Sequence, residues 1–246
     1  MKAAVMGYGT IGSGVVEVLD INGSSIAKRV GEPVEIKYVL DLRDFPGDPI
    51  QDKIVHDYKT IAEDPEVKIV VETMGGVEPA YTFVKAMLEA GKHVTTSNKA
   101  LVAAKGAELI ALAKEKNVNF MFEASVGGGI PIIRPLKQCL AANEIDEVIG
   151  IMNGTTNYIL TKMFEDNMDF DEALAKATEL GYAEADPTAD IEGLDAGRKA
   201  AILASIAFHS RVVFKDVYTE GITKISSRDI AYAKEFGNVI KLLGVA

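Results

Sequence analysis

Several features that mark secreted, membrane-embedded and nucleic-acid-binding proteins are scarce in this sequence. It has a single cysteine, Cys139, so an internal disulfide framework is excluded and a reducing compartment is favoured. Basic residues number 26 against 36 acidic ones, and the net charge of −10 without any basic cluster argues against nucleic-acid binding. The longest apolar run, residues 200–208, is shorter than the ~20 residues of a membrane helix. The amino terminus also lacks the pattern of a signal peptide. We therefore expect a soluble, cytoplasmic protein whose partners include neither nucleic acid nor membrane.

The first residues combine a short apolar strand, residues 2–6, with the stretch G-Y-G-T-I-G-S-G. Three of its glycines form G-x-G-x-x-G between that strand and an apolar helix, which is the context of a dinucleotide-binding turn. In such a turn the first glycine permits a tight bend and the second lets the backbone approach a pyrophosphate. The third glycine lets the helix pack closely on the strand. We predict that a dinucleotide cofactor contacts Gly7, Gly9, Thr10, Ile11 and Gly12.

The second predicted strand, residues 34–40, ends at an acidic residue, Asp41. An acid at this place usually binds the ribose hydroxyls of the cofactor and favours NAD. Arg43, two positions later, could instead bind the 2′-phosphate of NADP. The sequence therefore leaves both NAD and NADP open.

Two later strands bring further candidate residues to the same edge of the sheet. Residues 68–72 are followed by T-M-G-G, where Thr73 and Gly75 offer small residues against which a nicotinamide ribose can lie. The strand H-V-T-T-S-N-K ends at Lys99, where ligands gather in open α/β sheets. A helix at residues 103–116 and a strand at 120–124 complete five βα repeats. We predict an α/β domain with a doubly wound parallel sheet.

After Ser125 the stretch S-V-G-G-G-I-P interrupts this alternation and predicts the junction to a second domain. The Asn153 to Tyr158 segment, N-G-T-T-N-Y, opens a helix, and Gly154 and Thr155 at its first turn could bind a carboxylate or merely cap the helix. Other predicted elements are helices at residues 133–141, 158–166, 171–180, 193–214 and 228–236, the last capped by Ser227, with strands at 145–152 and 239–243.

The densest chemistry lies in residues 182–199, Y-A-E-A-D-P-T-A-D-I-E-G-L-D-A-G-R-K, which hold five carboxylates and a basic pair. On a helix, Asp195 and Lys199 stand four residues apart and share a face. The spacing alone leaves two interpretations open. The segment is either a solvated acidic loop with a surface ion pair, or a polar floor for a substrate that carries an ammonium group. Glu184 and Asp190 would supply the negative charge for that group.

The combination of motifs resembles homoserine dehydrogenase over essentially the whole chain. The resemblance rests on G-Y-G-T-I-G-S-G, G-K-H-V-T-T-S-N-K-A, F-E-A-S-V-G-G-G-I-P-I-I, M-N-G-T-T-N-Y-I-L and L-G-Y-A-E-A-D-P-T-A-D-I-E-G-L-D-A-G-R-K. It implies a Rossmann-type NAD(P)-binding domain (residues 1–125) and an α+β substrate-binding and dimerisation domain (residues 126–246). It also implies a homodimer that interconverts L-aspartate 4-semialdehyde and L-homoserine in threonine, methionine and isoleucine biosynthesis.

The resemblance assigns roles to individual residues. Lys199 matches the catalytic lysine, Asp195 its partner carboxylate, and Glu184 the residue that holds the substrate amino group. Lys99 matches a second active-site lysine that touches both cofactor and substrate. The same resemblance implies a monovalent-cation site, usually for sodium, built mainly from carbonyl groups at Glu123, Val126, Gly128 and Ile130.

Two rival interpretations stay open beside this one. Sugar and inositol dehydrogenases also carry a lysine after a G-K-H-V strand, but in Glu-Lys-Pro, where this chain has Asn98, Lys99 and Ala100. A non-catalytic dinucleotide-binding module is the other rival. Its basis is that family members continue beyond the last predicted strand, so that the chain is expected to be truncated relative to them. It predicts cofactor binding without turnover.

Overall fold

The computed structural model describes all residues from Met1 to Ala246, and these form two compact units, Met1–Ile132 and Ile133–Ala246. The sequence pattern predicted a division after Ser125. In the structure the Glu123 carboxylate accepts a hydrogen bond from the Ile132 amide at 2.6 Å. This contact keeps the glycine-rich segment with the first unit.

The first unit alternates strands and helices along the chain. A 3-10 turn (Pro49–Lys53) precedes its third strand. Its strands and α-helices are β1 (Lys2–Met6), α1 (Thr10–Val30), β2 (Glu35–Leu40), β3 (Ile54–Val55), α2 (Tyr58–Glu63), β4 (Val67–Glu72), α3 (Ala80–Glu89), β5 (His93–Thr96), α4 (Lys99–Glu115), β6 (Phe120–Met121) and α5 (Ala124–Gly127).

The six strands of this unit form one parallel sheet in the order β3-β2-β1-β4-β5-β6. The chain runs outward from β1 through β2 and β3, then returns to the other side of β1 for β4, β5 and β6. The order therefore reverses between β1 and β4, which is where ligands bind in open α/β sheets. The predicted Rossmann-type fold is confirmed.

The prediction of five strands missed β3. This strand is two residues long and pairs with Val39 and Leu40 at the edge of the sheet. A pair of residues is too short to produce an alternating pattern, so only the tertiary pairing identifies it.

The central strands are mostly apolar because helices cover both faces of the sheet. Residues Ala3 to Met6 of β1 are at most 2% exposed, and Val70 in β4 is fully buried. One side of the core packs against α3 and α4 through Val84, Met87, Leu101 and Leu109. This packing holds the carboxyl ends of the strands in place.

The second unit is mainly helical, which agrees with the predicted α+β class. It begins with a π-helical segment (Pro135–Cys139) and has a short 3-10 turn at Phe214–Asp216. Its remaining elements are β7 (Ile149–Gly150), α6 (Gly154–Glu165), α7 (Phe170–Glu179), α8 (Thr188–Ile191), α9 (Leu194–Ala207), α10 (Ser227–Glu235) and β8 (Gly244–Val245). β7 and β8 form an antiparallel pair, and α6, α7 and α10 share a core that includes Ile159, Leu160, Met163, Ala173 and Ile230.

The end of one helix and the cap of another were predicted wrongly in this unit. The helix expected to reach residue 214 ends at Ala207, because His209 adopts a positive φ of 52° and Val212 folds back to bond with Ser205. The last helix is capped by Ser226 rather than Ser227. Its side chain and the Asp229 side chain form a reciprocal capping box.

The two strands that were predicted in the second unit, at residues 145–152 and 239–243, are mostly absent from the structure. Of residues 145–152, only Ile149 and Gly150 form a strand, and residues 239–243 form none. The pairing instead joins Ile149 to Val245 and Gly150 to Gly244. β-Branched and aliphatic residues favour an extended backbone, but such a segment forms a strand only where a neighbouring segment pairs with it.

No helix in either unit is long and apolar enough to cross a lipid bilayer.

Candidate active site

The turn between β1 and α1 has the geometry of a phosphate-binding turn. Gly7 has a φ of +95° and donates its amide to the Leu40 carbonyl at 2.8 Å. A Cβ added at Gly12 would lie 1.9 Å from the Gly7 carbonyl oxygen, so α1 packs on the turn at a distance that only glycine permits. At Gly9 a Cβ would meet nothing within 4 Å. The backbone there is open to a ligand, and Thr10 and Ile11 begin the helix that faces it.

The acidic residue at the end of β2 is tied to this turn. The Asp41 carboxylate accepts the amide of Tyr8 at 2.8 Å and the guanidinium of Arg43 at 3.0 Å. The hydrogen bond from Arg43 holds the pKa of Asp41 well below its ordinary value. Arg43 also donates to the Tyr8 carbonyl at 3.1 Å. Asp41, which was predicted to favour NAD, and Arg43, which was predicted to favour NADP, therefore lie in contact with each other.

The carboxyl ends of β4 and β5 place the other predicted cofactor residues. The Thr73 hydroxyl donates to the Gly7 carbonyl at 2.8 Å, which joins the loop after β4 to the glycine turn. Asn98 caps α4, and its side chain donates to the Gly76 carbonyl at 2.7 Å. Lys99 is the first residue of that helix, and Gly75 is exposed in the loop. These residues all follow the carboxyl ends of β4 and β5, on the edge of the sheet where the turn between β1 and α1 also lies.

In the second unit, a buried polar cluster surrounds the start of α9. Lys199 forms an ion pair with Asp195 at 2.9 Å and donates to the Met152 carbonyl at 2.7 Å. Asp195 is 1% exposed. The side-chain amide of Asn153 donates to Asp190 at 2.6 Å and to Asp195 at 2.9 Å. The predicted pair of Asp195 and Lys199 is therefore not a solvated surface pair.

Close packing positions this end of α9. Gly193 has a φ of +78°, and a Cβ there would lie 2.9 Å from the Glu220 carbonyl oxygen. At Gly197, one turn on, a Cβ would lie 2.5 Å from the Thr219 side chain. Glycine at both positions lets residues 219–220 approach the helix. The first turn, which carries Asp195, is thereby fixed.

The first turn of α6 lies against the same cluster. Asn153 caps the helix by accepting the Thr156 amide at 2.8 Å. The Thr155 hydroxyl donates to the Tyr182 carbonyl at 2.7 Å, which joins α6 to the acidic segment. The amides of Gly154 and Thr155 are first-turn donors that have no acceptor within the helix. This is the arrangement that binds a carboxylate at a helix amino terminus.

The other predicted site residues lie in several different surroundings. Glu184 is exposed in the loop between α7 and α8, whereas Asp190 contacts Asn153. Lys99 and Lys199 belong to different units. The proposed cation segment forms α5 and a turn in which Gly128 has a φ of +58°, and Ile130 is 74% exposed. No group of three or more His, Cys, Asp or Glu side chains could hold a metal ion.

Asn153 is the residue of this cluster that the sequence analysis did not select. Its side chain contacts two carboxylates that lie 37 and 42 positions further along the chain. The available signal was its position directly before G-T-T, because asparagine is a preferred N-cap residue. That signal predicts a helix start and says nothing about Asp190 or Asp195.

Both parts of the chain are similar in sequence to known proteins. A sequence model of the homoserine dehydrogenase family matches residues 131–246, and one of the homoserine dehydrogenase NAD-binding domain matches residues 7–123. The homoserine dehydrogenase of Corynebacterium glutamicum is 48% identical over 244 residues, covering 98% of this chain and 55% of the relative. The chain thus spans little more than half the length of this curated relative.

Solved structures agree with these matches. The structure of a homoserine dehydrogenase from Thiobacillus denitrificans superposes with a TM-score of 0.95 at 43% identity, covering all of this chain and 57% of that one. A structure from Archaeoglobus fulgidus that is assigned the same enzyme name gives 0.89 at 32% identity, covering 100% of this chain and 80% of that one. The glycine turn, the buried lysine cluster and these likenesses together show that the chain belongs to the homoserine dehydrogenase family.

Proposed function

We propose that this chain catalyses the NAD(P)-dependent interconversion of L-aspartate 4-semialdehyde and L-homoserine. The observation that carries the proposal is the buried ion pair of Lys199 and Asp195, at 2.9 Å, inside the cluster at the start of α9. A lysine with a side chain 15% exposed is accessible enough to meet a substrate and is held by one carboxylate and one carbonyl. Membership of the family supports the same activity.

The chemistry explains why a lysine is needed. A bound nicotinamide supplies or accepts the hydride of this reaction. As the aldehyde is reduced, negative charge develops on its oxygen, and a nearby ammonium group stabilises that charge and donates a proton. Lys199 supplies both functions, and Asp195 holds its ammonium group in a fixed place. In the reverse direction Lys199 must begin as the neutral amine, which accepts the proton of the homoserine hydroxyl and becomes the ammonium group.

The charged groups of an amino-acid substrate have matching partners in the second unit. Asp190 and Glu184 would attract the substrate ammonium group. The first-turn amides of Gly154 and Thr155 would bind the carboxylate. Asp190 is already held by Asn153 at 2.6 Å, so its carboxylate is ordered before substrate binds.

For the cofactor, we propose that Gly7, Gly9, Thr10, Ile11 and Gly12 bind the pyrophosphate. Thr73, Gly75 and Lys99 would lie toward the nicotinamide. Asp41 would bind the ribose hydroxyls of NAD, and Arg43, whose side chain is 62% exposed, would bind the 2′-phosphate of NADP. Because both residues are present and in contact, the chain has a suitable group for either cofactor.

We also propose a monovalent cation, such as sodium, at Glu123, Val126, Gly128 and Ile130. Backbone carbonyl groups of α5 and the turn that follows it would supply oxygen donors, which suit a hard cation. One carboxylate oxygen of Glu123 is already used by the Ile132 amide. The carbonyl groups would therefore hold the ion, which would stabilise the glycine-rich segment of the first unit.

A homodimer in the cytoplasm is the proposed working form. Exposed apolar side chains lie on and beside β7 and β8, where a second copy could cover them: Ile149, Ile151, Leu243 and Val245. An exposed free cysteine, Cys139, suits a reducing compartment.

The proposed activity is tested by following homoserine-dependent reduction of NAD and of NADP at the nicotinamide absorbance. We expect the wild type to turn over, and Lys199→Ala to lower kcat by about 10²-fold or more, since one positioned proton donor contributes about that much. Cofactor binding without turnover by the wild type would refute the activity for this chain.

Lys162→Ala is the matched control. Lys162 forms an i,i+4 ion pair with Asp166 at 2.9 Å on the surface of α6, the same spacing and distance as in the buried pair. Its removal should leave kcat unchanged. If both lysine variants lose activity equally, a specific role for Lys199 is wrong.

A further inference from the structure

Glu72 is a buried carboxylate that no step of the proposed reaction uses. It is the last residue of β4 and is 0% exposed. One carboxylate oxygen accepts the Met74 amide at 2.7 Å and lies 3.5 Å from the Asn98 side-chain amide. The other accepts the hydroxyl of Thr96. Burial raises the pKa of Glu72 above its ordinary value.

The partners of Glu72 belong to three different elements at the edge of the sheet. Met74 lies in the loop after β4, Thr96 ends β5, and Asn98 caps α4. Asn98 in turn accepts the Leu101 amide at 3.0 Å and donates to the Gly76 carbonyl at 2.7 Å. A single carboxylate therefore connects the loop that holds Thr73 and Gly75 with the first turn of the helix that begins at Lys99.

The pattern of donors suits a carboxylate better than any other group of this size. The Thr96 hydroxyl oxygen accepts a hydrogen bond from the backbone amide of Asn98 at 2.9 Å. The hydroxyl proton is therefore directed toward Glu72. The Met74 amide and the Asn98 side-chain amide are also donors. An ionised carboxylate only accepts, whereas a glutamine at this position would turn its own N–H groups toward one of these donors. Burying such a group costs free energy, and an apolar residue would fill the space without that cost.

We propose that Glu72 is a positioning residue, which fixes the loop of residues 73–76 and the first turn of α4 relative to each other and so aligns the nicotinamide with Lys99. The proposal rests on the proposed function for the roles of Thr73, Gly75 and Lys99. It goes beyond that function because Glu72 touches neither the cofactor nor the substrate in the arrangement described above.

The test compares Glu72→Gln with Lys92→Met in the whole chain. Lys92 is the matched control because it is also buried, at 3% exposed, and contacts the amino-terminal end of β4, whereas Glu72 lies at the carboxyl end of that strand. The ammonium group of Lys92 donates to the Asp64 carbonyl at 2.6 Å and the Val67 carbonyl at 3.0 Å. Three quantities are measured for each variant: amide hydrogen exchange of residues 73–76 and 97–101, the Kd for NADPH, and kcat with homoserine.

For Glu72→Gln we expect faster exchange in both segments and a Kd for NADPH that changes less than about 3-fold, because the substitution replaces no residue of the glycine turn and leaves Arg43 in place. We expect kcat to fall about 10²-fold, which is the effect of a misplacement of about 1 Å. Lys92→Met should leave exchange in these two segments and kcat unchanged, although its melting temperature falls. If the affinity for NADPH and kcat fell by similar factors, the substitution would have disturbed the whole cofactor site, and the proposal would be overturned.

Two further outcomes are distinguishable. If the wild type shows no turnover, the proposed function fails, and hydrogen exchange and NADPH binding still decide the role of Glu72. If Glu72→Gln does not fold, Thr96→Val removes the hydroxyl donor with little change of shape and should give the same pattern. Exchange rates in residues 73–76 and 97–101 that match the wild type in a folded variant would refute the proposal.

Discussion

Single residues in the second unit connect parts of the chain that lie far apart in sequence. Asn153 is the main example, because its side chain caps α6 and also lies between Asp190 and Asp195. Its oxygen accepts from Thr156 while its nitrogen donates to both carboxylates. Both the oxygen and the nitrogen of its side chain are therefore used, and the residue is 5% exposed.

Asn153→Ala tests this connection. Loss of the cap alone costs about 1 kcal/mol. Two carboxylates left facing each other without their donor should add about 1 to 3 kcal/mol. We expect the free energy of unfolding, measured by urea denaturation, to fall by the sum of these two effects, and homoserine-dependent turnover to fall as well.

Asp169→Ala gives the comparison for this experiment. Asp169 caps α7 by accepting the Glu172 amide at 2.8 Å. Unlike Asn153, it does not donate hydrogen bonds to a pair of carboxylates. Its replacement should cost only the ~1 kcal/mol of a cap. Equal losses in the two variants would mean that the contacts of Asn153 with Asp190 and Asp195 contribute nothing.

Among the elements, β1 and α1 show most directly how sequence becomes a binding site. The strand is buried because both faces of the sheet are covered, and the helix must begin close to its end. Gly12 makes this possible, since any Cβ there would overlap the Gly7 carbonyl. Gly14, half a turn later, faces open space within the same helix.

Substitution of these two glycines by alanine should have opposite effects. Gly12→Ala should displace α1, raise the Kd for NADPH by at least about 10-fold and lower the melting temperature. Gly14→Ala should raise the free energy of unfolding by ~0.5–1 kcal/mol, because alanine favours the helix, and leave the Kd unchanged. Calorimetric titration with NADPH and thermal melting measure both quantities. An unchanged Kd in Gly12→Ala would contradict the pyrophosphate site.

At the scale of the whole molecule, each of the two units has its own apolar core. The second unit leaves apolar side chains exposed on and beside β7 and β8, among which Ile149 is 55% and Val245 is 55% exposed. A short antiparallel pair of this kind is marginal without further packing. A second copy of the chain would supply that packing.

The oligomeric state is therefore informative. We expect the wild type to sediment as a dimer in analytical ultracentrifugation, and Ile149→Asp to shift it toward the monomer because a charge would be buried in the interface. Ile21→Asp serves as the control, since Ile21 is 71% exposed on α1 in the first unit. A monomeric wild type at micromolar concentration, or equal effects of both variants, would show that this surface does not mediate dimerisation.

Features that depend on a local pattern could be predicted from the amino-acid sequence. The glycine turn, the parallel strands and the i,i+4 relation of Asp195 and Lys199 are readable because turn chemistry and periodicity act over a few residues. Recognition of the family motifs also required no structure. The class of fold and the family were therefore predictable.

Tertiary structure decided everything that depends on contacts between distant segments. It added the edge strand β3, ended α9 at Ala207, and joined Asn153 to Asp190 and Asp195. It also brought Glu72 to Thr96 and Asn98, which lie 24 and 26 positions away. No local pattern encodes these contacts, because the free energy that selects them comes from burial and hydrogen-bond pairing that exist only once the chain has folded.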